Sequence, residues 1–220
     1  NTQLNYLTEG QIKGLSTSQI RLLSAAQLNG LNEYKLQAIE QVDLAAVSTS
    51  VMVGMNPTQI AKLTESQVAA ITTSQLKSFT QVRSLTATQF GWLLEDQIKG
   101  LDASSVSALT TDQATALSPT QLQTLNQAQI RGLSTAAMVA MSPTQLAGLL
   151  EEQISALSSA QIKAMSTAQL SQLSDAQIQA MDAATVGAIN VATLSNLTGA
   201  QLARFSSLQL SALTLSLIHI

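Results

Sequence analysis

Every eighth residue is apolar from Leu7 to Leu213, with a single slip. The series runs Leu7, Leu15, Leu23, Leu31, Ile39, Val47, Met55, Leu63, Ile71 and Phe79. The stretch 79–84 is two residues short, and the series resumes at Leu85. With these residues as position one, position six is apolar as well: Ile12, Ile20, Leu28, Leu36 and onward to Leu210. A period of eight matches neither the turn of a helix, about 3.6 residues, nor the alternation of a strand. It measures a complete structural unit, and a chain of such units is a repeat architecture.

The polar positions say what the unit is. Position two is nearly always Ser, Thr, Asn or Asp, the preferred helix N-caps. Position five, three residues on, is mostly Gln, which completes a capping box; positions one and six then form the hydrophobic staple around it. In "SSAQIKAMSTAQLSQLSDAQIQAM" (158–181) the caps are Ser158, Ser166 and Ser174, and the N3 residues are Gln161, Gln169 and Gln177. Pro57, Pro119 and Pro143 all fall at position three, the N1 site where a missing N–H costs nothing. The acidic residues lie at positions two to five and the basic ones at seven or eight, except Lys35, as a helix dipole favours. A β-solenoid would show no such polarity, and would carry more Val, Thr and aromatics in alternation.

Each octapeptide is therefore expected to be one capped helix of about six or seven residues, under two turns. Such a helix is not stable alone and must stack on its neighbours. The expected fold is an all-α solenoid, one continuous array over 1–214 with a shortened unit at 79–84. Small residues at positions four and eight let helices approach closely. Position seven (Lys13, Arg21, Lys77, Arg83, Lys99, Arg131, Lys163) is the expected solvent face. A two-residue joint favours turns of about 90–120° and three or four helices per coil. Glu40, Leu94 and Leu150 break the cap rule, which predicts longer helices over 33–46, 87–100 and 143–156. Their equal spacing of seven units hints at a 56-residue super-repeat.

Composition narrows the function. At 45% apolar residues the chain can bury a core, which argues against disorder. A net charge of -3 argues against a nucleic-acid surface. Without cysteine there is no thiolate metal site and no disulfide framework. No apolar run is long enough to span a membrane. His219 is the only histidine, so a serine nucleophile lacks its usual base; no catalytic residue, cofactor or metal is expected. The acidic pairs Glu95-Asp96 and Glu151-Glu152 suit the first turn of a helix. Phe79, Phe90 and Trp92 cluster around the shortened unit, where they either fill the gap in an irregular repeat or, through Phe90 and Trp92, form an interaction patch.

Some stretches resemble known sequences. "MSPTQLAGL" (141–149) and "MNPTQIAKL" (55–63) resemble the opening of transcription activator-like effector repeats, where this phrase starts a helix. The 34-residue period and base-reading pair of that family are absent, so DNA binding does not carry over. The array from Thr2 to Thr214 resembles the Leu-Thr-x-x-Gln-Ile/Val octapeptide tracts of very long bacterial exported or surface proteins. The final "LSLIHI" (215–220) leaves the pattern and resembles a translated transposon adapter end, which would make it non-native; the alternative is an apolar C-terminal cap. The start at Asn1 suggests a cut within a longer protein. These resemblances imply a non-enzymatic stalk, spacer or adhesin-type scaffold outside a bacterial cell, flanked by other domains of its own chain. The alternative is a solenoid that binds a peptide, protein or glycan; a cytoplasmic location stays open.

Overall fold

The computed structural model describes residues 3–78 and 82–218. The chain divides into two compact units, 1–105 and 106–220. Among the described residues there are twenty-five α-helices, two short 3-10 helices (Gln3–Tyr6 and Val82–Ser84) and no strand. The fold is the expected short-helix solenoid. The helices before Ser207–Ile218 span four to six residues, slightly shorter than expected. The joint explains this, because it takes an extended cap residue from every unit: Ser158, Ser166 and Ser174 have ψ of 157°, 163° and 163°.

Within each unit a helix packs on the third helix along the chain. In 1–105, Gln41–Ala46 packs on Glu65–Ala70, and in 106–220, Pro143–Ala147 packs on Thr167–Gln172. Each coil therefore holds three helices, or 24 residues. Positions one and six line the interior: Leu122, Leu125, Ile130, Leu133, Met138 and Met141 are each at most 3% exposed. Position eight abuts position three of the coil before. A Cβ on Gly54 would stand 2.5 Å from the Ala25 Cβ, and one on Gly148 would stand 2.9 Å from the Pro119 Cβ. Small residues at position eight set how closely the coils approach.

The longer helices expected over 33–46, 87–100 and 143–156 do not form. Glu40, Leu94 and Leu150 are extended cap residues with ψ of 154°, 156° and 156°, and a separate helix begins after each. Half of the capping box survives without a cap side chain. The Leu94 N–H donates to Gln97 Oε1 at 2.6 Å, and the Leu150 N–H donates to Gln153 Oε1 at 2.9 Å. At Glu40 the next coil shapes the joint, since Gln67 binds the Leu36 and Ile39 carbonyls just before it. At the C-terminal end, where Leu213 and Thr214 would open a new unit, the backbone continues as one helix, Ser207–Ile218. Phe79 and His219 lie outside the described residues.

Candidate functional site

The residue that repeats most faithfully uses both ends of its amide. Ser158 N–H donates to Gln161 Oε1 at 2.8 Å, and Gln161 N–H donates to Ser158 Oγ at 3.3 Å. That closes the capping box within one helix. The Nε2 group points across the coil instead. It donates to the Ile130 and Leu133 carbonyls, at 2.9 and 2.8 Å. Gln169 is built alike: its Oε1 accepts from Ser166 N–H at 2.8 Å, and its Nε2 donates to Met138 and Met141, each at 2.8 Å. Gln177 accepts from Ser174 N–H at 2.8 Å and donates to Ala147 and Leu149, at 3.0 and 2.5 Å. All three glutamines are buried. Each one caps its own helix and staples it to carbonyls 28 to 31 residues earlier.

The shortened unit shows what the staple measures. Gln89 lies beyond it, and its Nε2 reaches the carbonyls of Ile60 and Leu63, 29 and 26 residues back. Gln97 does the same with Val68 and Ile71. Two residues are missing from the count, yet the structural partners are equivalent. The staple therefore counts helices rather than residues.

Sequence reasoning did not find the cross-coil half of this arrangement, nor several residues that share it. Lys35, the basic residue at position five, reaches back with its Nζ to the Asn5 carbonyl at 2.5 Å. Thr193 Oγ1 donates to the Met165 carbonyl at 3.3 Å. Asp43, also at position five and buried, instead accepts from Thr17 Oγ1 at 2.6 Å. Position seven staples in the opposite direction. Asn29, Gln37, Gln123 and Arg131 donate to the carbonyls of Gly54, Lys62, Gly148 and Ala156, each 25 residues ahead. The expected solvent face is thus partly a second set of staples. A spacing of one coil plus one residue would have revealed them, had the 24-residue coil been known.

The candidate interaction patch does not assemble as one surface. Phe90 is fully buried at position six, while Trp92 is half-buried at a helix C-cap and Leu94 beside it is 54% exposed. In 1–105 a cleft of roughly 700 Å³ is lined by Glu9, Lys13, Glu40, Val42, Thr64 and Ser66, with Lys13 Nζ 3.9 Å from Glu40. Two aspartate caps have carboxyl groups held below the ordinary range. For Asp102 the leading cause is the Ser105 backbone N–H, and for Asp182 it is the hydrogen bond with the Thr185 side chain. Among the described residues no three His, Cys, Asp or Glu side chains gather where they could hold a metal ion. No helix among them is long and apolar enough to cross a membrane.

A family model described as the ALTTAQ repeat matches residues 36–73 and 152–183. The phrase Ala-Leu-Thr-Thr-Ala-Gln runs from position eight of one unit to position five of the next, as in Ala164-Met165-Ser166-Thr167-Ala168-Gln169. The match thus covers the joint, the cap and the staple, and it supports a repeat tract of this kind. Among curated proteins no sequence matches the chain.

Proposed function

We propose that the chain is a structural spacer: a regular scaffold segment of a bacterial surface or secreted protein, holding flanking domains of the same polypeptide apart. One observation carries this reading. The most constant polar residue spends its amide on the molecule itself, with Oε1 on a cap and Nε2 on the coil before. Repetition here maintains layer-to-layer geometry rather than presenting a recurrent ligand group. The role is structural rather than catalytic. The setting outside the cell rests on the likeness of the tract to those of exported proteins. A second reading, a solenoid that binds a protein or glycan, draws on the exposed Leu94 beside Trp92.

The two readings separate by experiment. Duplicating residues 157–180 adds one coil. Spin labels flanking the insertion within 106–220 are expected to move apart by one helix-packing distance, about 8–10 Å. Peptide and glycan arrays are expected to show no saturable binding. Saturable binding that is lost in Trp92→Ala would overturn the spacer reading in favour of the binder.

A further inference from the structure

We propose that residues 189–204 form a strap that opens as a unit while the structure on both sides stays stapled, with Arg204 as its latch. The chain before the strap is fixed by Gln177, which binds the Ala147 and Leu149 carbonyls. The chain after it is fixed by Gln209, which donates to Ile178 and Met181 at 2.8 and 2.7 Å. Between them the staple fails. Position five is Thr185 in the unit before the strap, which is held by the burial of Val186 and by packing on Ser207–Ile218, and Thr193 and Gln201 in the two strap units. Thr193 is held to the coil before by two long bonds: its Oγ1 donates to the Met165 carbonyl at 3.3 Å, and its own carbonyl accepts from Thr167 Oγ1 at 3.5 Å. Gln201 caps Thr198 at 2.7 Å, but its half-exposed side chain makes no bond to the coil before.

Packing is loose in the second strap unit, whereas Ile189, Thr193 and Leu194 of the first are buried. Leu197 and Leu202, at positions one and six, are half-exposed, and the helix Gly199–Leu202 has no buried residue. A Cβ on Gly199 would meet nothing within 4 Å. Few buried contacts and solvent-accessible helical bonds are the marks of a segment that opens below the global unfolding free energy.

Arg204 takes over the missing staple. Its Nη2 donates to the Leu173 carbonyl, which is the acceptor the repeat assigns to Gln201, 28 residues earlier. Nη1 donates to Ser171 at 3.3 Å, and Nε donates to Asp175 Oδ1 at 2.6 Å. One guanidinium at the edge of the coil thus stands in for a buried amide. Releasing it frees the Leu173 carbonyl and lets both strap helices lift.

Amide hydrogen exchange on the intact chain, read by mass spectrometry, tests the strap. Residues 189–204 are expected to exchange at least about tenfold faster than 165–180, with 207–213 remaining protected. Arg204→Met, which keeps the aliphatic stem, is expected to speed exchange about tenfold further in 189–204 alone. Thr193→Gln, which restores a staple, is expected to slow it. Equal exchange in 165–180 and 189–204 would overturn the proposal. So would an Arg204→Met variant whose exchange is unchanged, or raised uniformly across 106–218.

Discussion

Residues 157–180 and 181–204 have the same length, the same period and the same three-helix path, but they are held differently. The first stretch contains Ser159–Ala164, Thr167–Gln172 and Asp175–Ala180, six residues each, with a stapling Gln in every unit. The second contains Ala183–Val186, Val191–Leu194 and Gly199–Leu202, four residues each, with Thr, Thr and an unstapled Gln at position five. Caps are present in both stretches, since Asp182, Asn190 and Thr198 all accept backbone N–H bonds. The cap is therefore sufficient to start a helix and to turn the chain. Across these two stretches the cross-coil amides accompany two more helical residues per unit, and Leu170 and Leu173 are buried where Leu197 and Leu202 are half-exposed.

The largest effect should come from separating the two jobs of the glutamine. Gln169→Glu keeps an oxygen for the Ser166 N–H but turns a donor into a carboxylate facing the Met138 and Met141 carbonyls. Leaving those groups buried and unpaired is expected to cost about 3 kcal/mol or more, whereas Gln201→Glu should cost under about 0.5 kcal/mol. Urea unfolding of the two variants measures the gap. Next, Thr193→Gln should stabilise the chain by about 1 kcal/mol by restoring a staple in the second stretch. The thermal midpoint would rise accordingly, and an unchanged midpoint would mean the loose layer has another cause.

A smaller gain is expected from Ser159→Pro, at the exposed N1 position that proline already occupies in three other units. About 0.4–1 kcal/mol should follow from the restricted unfolded chain. The smallest effect is local and depends on pH. Asp182 has its folded-state pKa lowered by its bonds to Thr185, so the charged form favours the folded state. That contribution is present above the unfolded value of about 3.9 and is lost as pH falls below it toward the folded value. The protection factor at 183–186, taken against the intrinsic rate at each pH, should therefore fall from pH 6 to pH 3 by more than that at 159–180, where the caps are serines. Asp182→Ser should remove the difference.

Much of this was legible because it is local. Cap, N3 glutamine, N1 proline and charge polarity all act within four residues, so one octapeptide states them. What lay outside the sequence pattern acts between coils. Gln161 looks complete once its Oε1 is assigned, and nothing nearby in sequence shows that its Nε2 has partners at Ile130 and Leu133. The same holds for Lys35 and Arg204, whose roles depend on carbonyls about 30 residues away. The cap rule also proved too strict at Glu40, Leu94 and Leu150, where neighbouring coils and half a capping box keep the joint without a cap side chain.

The central claim is that the position-five amide joins coils as well as capping helices. It is tested most directly by the side-chain NH2 protons of Gln169 and Gln201, compared by NMR exchange in the same chain. The expected result is strong protection at Gln169, with through-bond couplings to the Met138 and Met141 carbonyls, and near-free exchange at Gln201. Equal, rapid exchange of both amides would contradict the staple and leave the glutamine as a cap alone.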